Sequence, residues 1–245
     1  MSDTLVLIHG FPLDGSMWDF QDGALSGVVQ VLAPSLPGFG GSPAAGPTMT
    51  MDAAARAVFA AMDAANADSA VVCGISMGGY VAFEMWRQQP QRFRGLVLAN
   101  TRSGADDDAG RQRRLDLSAR LEAEGNGFLV ESPGPLLSDS AGEELWGDVR
   151  SIVAAQPAAS IAAAARGMAE RPDSTGNLAS ISVPAMVITS SGDTLIPANV
   201  TAPMADLITD ATLETIDGAG HLSNMESPGE FTMLLERHLT VCGLL

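Results

Sequence analysis

The strongest chemical signal in the chain is Gly74-Ile75-Ser76-Met77-Gly78, a serine held between two glycines in the spacing G-x-S-x-G. A serine hydroxyl is a weak nucleophile until a base removes its proton, so the motif acquires meaning only with a histidine and an acid that orients it. His221 follows Gly218-Ala219-Gly220, and Asp193 follows Gly192. A Gly-rich turn can exist for packing alone, and a lone loop aspartate is usually a solvated turn residue. The combination is what counts, because Ser76, Asp193 and His221 each stand just behind a separate apolar run, where open parallel sheets place their sites. Asp217 and Glu214 lie in the same run and turn as His221, a poor position for holding its imidazole from the far side, so Asp193 is the expected acid. His9 and His238 have no Gly-rich loop of this kind to project them into a site.

A second pattern, His9-Gly10-Phe11-Pro12, directly follows the first apolar run. In a serine hydrolase, the backbone N–H of Phe11 and that of Met77, the residue after the nucleophile, would donate to the developing oxyanion. Composition removes the competing chemistries. All 13 basic residues are arginine, and without lysine there is no Schiff base, no Ser-Lys dyad and no phosphate-gripping P-loop lysine. The three histidines and two cysteines form no spaced ligand cluster, so no metal site is expected. Trp18, after the Phe11 loop, and Trp146, in the middle of the chain, are candidates to line a pocket. Arg102 is the first candidate to meet a substrate carboxylate, with Arg111, Arg113 and Arg114 behind it.

The elements that must position these residues are short and regular. Runs at Leu5–Ile8, Val28–Leu32, Ala70–Cys73, Leu96–Leu98, Ala185–Thr189 and Leu213–Ile216 are mostly apolar on both faces, as strands of a covered parallel sheet are. Helical spacing at Met51–Ala65 and Gly79–Gln89 alternates with them, which argues for a doubly wound α/β sheet. Residues 104–178 break this rhythm. They read as helices at Ala109–Glu124, Gly142–Ala155 and Ala158–Glu170, separated by prolines, and are expected to form a helical cap inserted in a core made of 1–103 and 179–245.

Taken together, H-G-F-P, G-I-S-M-G-G, Gly192-Asp193 with Pro197, and G-A-G-H with Glu226 and Pro228 resemble the α/β-hydrolase superfamily. The elbow and the Thr101-Arg102 pair are similar to 3-oxoadipate enol-lactonase-like proteins and small carboxylesterases. The resemblance implies an α/β-hydrolase fold with a mostly parallel sheet of about six strands, because the hairpin that usually precedes the first strand is missing. It also implies a small ester or lactone as substrate, and no cofactor. A hydrolase-like receptor with slow turnover, a perhydrolase or a carbon-carbon bond hydrolase would use the same residues. The formal net charge of −16 disfavours nucleic acid. No apolar run approaches the ~18 residues of a membrane span, and the absence of a signal-like segment or disulfide framework makes cytoplasm the expected location. The same charge argues against long-range steering of anionic substrates, so uncharged esters or lactones are expected, and a lactone acid would rely on local arginines.

Overall fold

The computed structural model describes residues 3–245. Strands β1 (Thr4–Ile8), β2 (Gln30–Leu32), β3 (Ala70–Ile75), β4 (Phe93–Ala99), β5 (Ala185–Ser190) and β6 (Ala211–Ile216) form one parallel sheet in the order β2-β1-β3-β4-β5-β6. Five of the six apolar runs lie within strands, and the sixth, Val28–Leu32, overlaps one only from residue 30, because Val28 and Val29 still bond back to the Leu25 carbonyl at the end of a helix. Side chains alternate across the sheet, so Leu5, Leu7, Val71, Cys73 and Val97 enter one core cluster while Val6, Ile8, Val72, Leu96 and Leu98 enter the other. A strand covered on both faces needs apolar residues at consecutive positions, which is why these runs show no period-two pattern.

Helices α1 (Asp19–Leu25), α2 (Met51–Ala64) and α3 (Met77–Gln88) precede the long gap after β4. The gap holds α4 (Asp108–Glu124), α5 (Gly127–Glu131), α6 (Glu143–Ala155) and α7 (Ala158–Ala169), and no strand. After β5 come α8 (Ala198–Thr201) and α9 (Pro203–Leu207), and after β6 come α10 (Ser223–Glu226) and α11 (Pro228–Val241). On α2 the buried Met51, Ala54, Ala55, Val58 and Met62 follow helical spacing and pack on one core, while Phe231, Leu234, Leu235 and Leu239 of α11 pack on the other.

Two details differ from the sequence reading. The edge strands are not covered on both faces, for β2 is only half-buried and β6 leaves Leu213 exposed and pairs Glu214 with Arg237 of α11. An edge strand has a neighbour on one side only, and its outer positions carry less apolar cover. The Ala-rich α7 is also embedded, not merely laid across the sheet. Most of its residues are buried, Met49 N–H donates to the Ala163 carbonyl at 3.1 Å, and a Cβ on Gly167 would overlap the Met49 carbonyl. Its small side chains let α4, which is charged on nearly all sides, pack along it.

β1 lies between β2 and β3, so the chain leaves it toward one edge and returns on its other side. That reversal opens a crevice beyond the carboxyl ends of β1 and β3, the place where such sheets bind ligands. No helix among the described residues is long and apolar enough to cross a membrane.

Two buried histidines tie stability to pH. Burial lowers the pKa of His9 and of His238 to about 4, against the partial compensation of hydrogen bonds that the rings donate to the Gly10 and Pro184 carbonyls. The unfolded chain protonates both rings near the ordinary 6.5, so it binds more protons between 6.5 and 4, and acid destabilises the fold in that window. From pH 7 to pH 5 each ring should cost about 2 kcal/mol, before carboxylate titration contributes. Urea midpoints at the two pH values measure the sum, and His238→Gln should remove roughly half of the difference.

Candidate active site

Ser76 sits at the junction of β3 and α3 with φ +54° and ψ −116°, backbone angles that a residue with a Cβ seldom adopts. The surroundings enforce this geometry. A Cβ on Gly74 would overlap the Gly78 carbonyl, and one on Gly78 would overlap the Ile8 carbonyl at the end of β1. Only glycines at both positions let the helix start this close to the strands, and the turn between them is correspondingly tight. Ser76 N–H donates to the Ala99 carbonyl at 3.0 Å, and Thr101 Oγ1 donates to the Ser76 carbonyl at 2.7 Å. The serine is thus fixed to the end of β4 as well.

The loop after β1 lies against this elbow, for a Cβ on Gly10 would stand 3.5 Å from Cβ of Ser76. His9 holds that loop. Its Nδ1 donates to the Gly10 carbonyl at 3.0 Å and its Nε2 accepts from Leu36 N–H at 2.9 Å, which fixes one neutral tautomer inside the core. Met77 opens α3, so its N–H is among the helix's first, unpaired donors.

Asp193 and His221 meet. Asp193 Oδ2 lies 2.8 Å from His221 Nδ1, with both side chains buried. The same carboxylate accepts from Asn100 Nδ2 at 3.0 Å and, through Oδ1, from the Leu195 and Ile196 N–H groups at 2.9 Å each. Burial alone would raise the pKa of Asp193, but the His221 bond and charge, with the Ile196 and Asn100 donors, bring it below the usual value. His221 Nδ1–H therefore points at an anion, and its buried Nε2 has no hydrogen-bond partner among the described residues. Ser76 Oγ makes no bond to it.

Asn100 escaped the sequence reading. Its Nδ2 also donates to Ser190 Oγ at 2.8 Å and its Oδ1 accepts from Ser223 Oγ at 2.7 Å, so one buried amide ties β4, β5 and α10 together around the acid. The available signal was an asparagine immediately after a strand; its φ of +44° is a conformation asparagine tolerates better than most residues.

A cavity of about 370 Å³ opens at Ser76. From the sheet side it is lined by Phe11, Ser76, Tyr80, Arg102 and Ile196, and from residues 104–178 by Arg113, Arg114, Leu117, Leu129, Leu136 and Met168 among others. Trp18 is not part of it. The indole is fully buried against Phe231, 5.7 Å between ring centroids, because its residue follows the loop into the sheet-packed core. Trp146 is also elsewhere, on α6 with Arg150 over its ring, and Arg111 is exposed. A more open depression of about 450 Å³ beside α1 and α6 is lined by Ser16 and Ser151 and by none of Ser76, Asp193 and His221.

Beneath the cavity wall, Asp106 gathers Arg171 at 2.8 Å, Arg114 at 3.3 Å and Arg102. Burial opposes its ionisation, yet the Arg171 hydrogen bond and the charges of Arg171, Arg114 and Arg102 lower its pKa to about 2. Glu226 makes a second link. Its Oε2 accepts from Gly220 N–H at 2.9 Å and Ser138 N–H at 3.0 Å, its Oε1 accepts from Ser138 Oγ, and Leu222 N–H donates to the Leu136 carbonyl at 2.9 Å. The residues on both sides of His221 are thereby fastened to the segment that walls the cavity.

Comparison with known proteins adds a family to this geometry. A model described as the alpha/beta hydrolase family matches residues 5–233. A pimeloyl-[acyl-carrier protein] methyl ester esterase of Aromatoleum aromaticum is 29% identical over 95% of this chain and 96% of its own length. A 3-oxoadipate enol-lactonase 1 of Acinetobacter baylyi is 30% identical over 94% of this chain and 86% of its own. Among solved structures, a malate-bound thermophilic esterase from Thermogutta terrifontis superimposes with a TM-score of 0.95 at 34% identity, covering 99% of this chain and 91% of that one.

The Asn100 network should show in stability. Asn100→Ala leaves Asp193, Ser190 and Ser223 each short of a buried partner, and is expected to lower unfolding free energy by about 2–4 kcal/mol. Asn100→Asp, although nearly isosteric, sets a second carboxylate against Asp193 and should be the worse of the two. Urea titrations that rank the aspartate variant above the alanine variant would remove Asn100 from this role.

Proposed function

The chain belongs to the alpha/beta hydrolase family, and on that basis we propose that it hydrolyses a carboxylic ester or lactone of a small substrate through an acyl-enzyme on Ser76. The observation that carries the reading is the state of His221, an imidazole held through Nδ1 by a buried carboxylate while Nε2 stays unpartnered. That is a base prepared to accept one proton. The esterase and enol-lactonase relatives supply the reaction class.

In the first step Ser76 Oγ attacks the carbonyl carbon as its proton passes to His221 Nε2. The carbonyl oxygen, now negative, receives the N–H groups of Phe11 and Met77, each such donor being worth ~3 kcal/mol in the transition state. Collapse breaks the ester bond, and His221 gives the proton to the departing alkoxide. Water then repeats the sequence on the acyl-serine, losing its proton to His221 and releasing the acid and the serine. Asp193 holds the tautomer and stabilises the imidazolium without being protonated itself. The missing Ser76–His221 bond is compatible with this path, since such bonds tighten when substrate closes the site.

Residues 104–178 act in this reading as the cap, supplying more than half of the cavity wall. Both cysteines are free thiols, which suits a reducing compartment such as the cytoplasm.

Ser76→Ala should reduce turnover of a small activated ester by about 10⁴-fold or more. A fluorophosphonate probe should label wild-type protein at Ser76, read by mass spectrometry of the peptide that contains it. Labelling elsewhere with Ser76 unmodified, or full activity in the alanine variant, would refute the acyl-enzyme.

A further inference from the structure

The molecule carries a formal net charge of −16, yet the charged residues lining its cavity are three arginines, Arg102, Arg113 and Arg114, and one aspartate, Asp106. That aspartate is shared further. The side chain of Arg171, only 3% exposed, binds it as well and lies with its guanidinium 4.0 Å from the ring centroid of Tyr80, another wall residue. One carboxylate therefore serves Arg102, Arg114 and Arg171, while Arg113 is exposed and pairs with no carboxylate among the described residues. The Nε–H of Arg102 is likewise without a hydrogen-bond partner. Positive charge in excess is thus concentrated beside Ser76 in a molecule that is acidic overall.

Guanidinium groups present planar N–H forks that match a carboxylate. The rest of the wall, including Leu117, Leu129, Leu136 and Met168, is apolar and suits a short carbon chain. Resting on the serine-hydrolase reading, we propose that the substrate is itself an acid: a small ester or lactone whose free carboxylate is held by Arg102, Arg113 and Arg114 while its scissile carbonyl meets Ser76. The neutral substrates expected from net charge alone give way here, because the long-range field of the surface and the short-range field of the cavity have opposite signs. An anion is not steered from afar; it is selected after entry, where apolar walls reduce screening.

The test compares kcat/KM for acid and neutral partners in two series. The charge is on the acyl side in para-nitrophenyl hydrogen glutarate against para-nitrophenyl pentanoate, and on the alcohol side in para-acetoxybenzoate against phenyl acetate. Wild type should prefer the acid by about 10-fold or more in at least one series, the size expected of one charge-assisted contact. The ratio should fall several-fold in Arg113→Gln, which disturbs no ion pair, and approach unity in the Arg102→Gln/Arg113→Gln double variant. Arg111→Gln removes the same charge from an exposed position of α4 outside the cavity and should leave the ratio unchanged.

A neutral preference in both series overturns the carboxylate site, as does a ratio insensitive to Arg113 and Arg102 or equally sensitive to Arg111. Each of those results leaves acyl transfer on Ser76 intact. If no ester is turned over and Ser76 resists the phosphonate, the mechanism fails instead. The carboxylate site is then judged by calorimetry with glutarate, which should bind wild type and lose at least about 10-fold in affinity in the double variant.

Discussion

The close approach of α3 to the ends of β1 and β3 is the constraint on which the rest of the site depends. Gly74 and Gly78 have no room for a Cβ, and the serine between them is driven to φ +54°. Backbone strain of this kind costs on the order of 1–3 kcal/mol and persists only where surrounding structure over-determines it. Here the determination is visible: Ser76 is bonded through its N–H to β4 and through its carbonyl to Thr101, and Thr201 in turn donates to the Thr101 carbonyl at 2.9 Å. The reversal of strand order between β1 and β3 then puts Gly10 beside the serine. Ser76 and the loop that carries Phe11 are neighbours because of sheet topology, with no direct bond needed between them.

Charge burial follows the same logic of over-determination. An isolated Asp106 or Arg171 could not be buried ionised, since each would forfeit its hydration with nothing in return. Arg171 places its guanidinium on Tyr80 and donates to the Met168 and Gly104 carbonyls at 2.9 and 3.0 Å, so the ion pair is embedded in a hydrogen-bonded frame joining α7 to the segment after β4. Arg102 and Arg114 then attach from the cavity side. The frame gives them fixed positions that solvated arginines lack.

Local patterns in the chain are enough for the strands, the elbow and the short Gly-containing motifs at Ser76, Asp193 and His221, because each motif depends on residues within a few positions of one another. The meeting of Asp193 with His221 was inferable from order and strand ends. What escaped were partners distant in sequence. Asn100 bonds to residues 190, 193 and 223, and Asp106 to Arg171; no periodicity carries such pairings. Trp18 and Trp146 were misplaced for a related reason, since a large aromatic signals burial without saying on which side of the sheet. Net charge is silent for another reason, as a sum over 245 residues does not carry the sign of a cavity lined by four charged ones.

The wall of that cavity is unequal in freedom, and this bears on where selectivity resides. Pro133 and Pro135 restrict the backbone of one stretch, Leu136 is bonded to Leu222 beside His221, and Ser138 is linked to Gly220 through the Glu226 carboxylate. Moving this wall would move His221 with it. Met168 belongs to α7, which is locked to the Met49 loop by Gly167. The remaining helical wall is α5, which contributes Leu129, and α4, whose buried residues are few and which contributes Arg113, Arg114 and Leu117. With one wall tied to the loop of His221 and another embedded, the freedom to vary rests chiefly with the exposed positions of α4, and Arg113 is one of these, whereas Arg102 and Arg114 are held by Asp106.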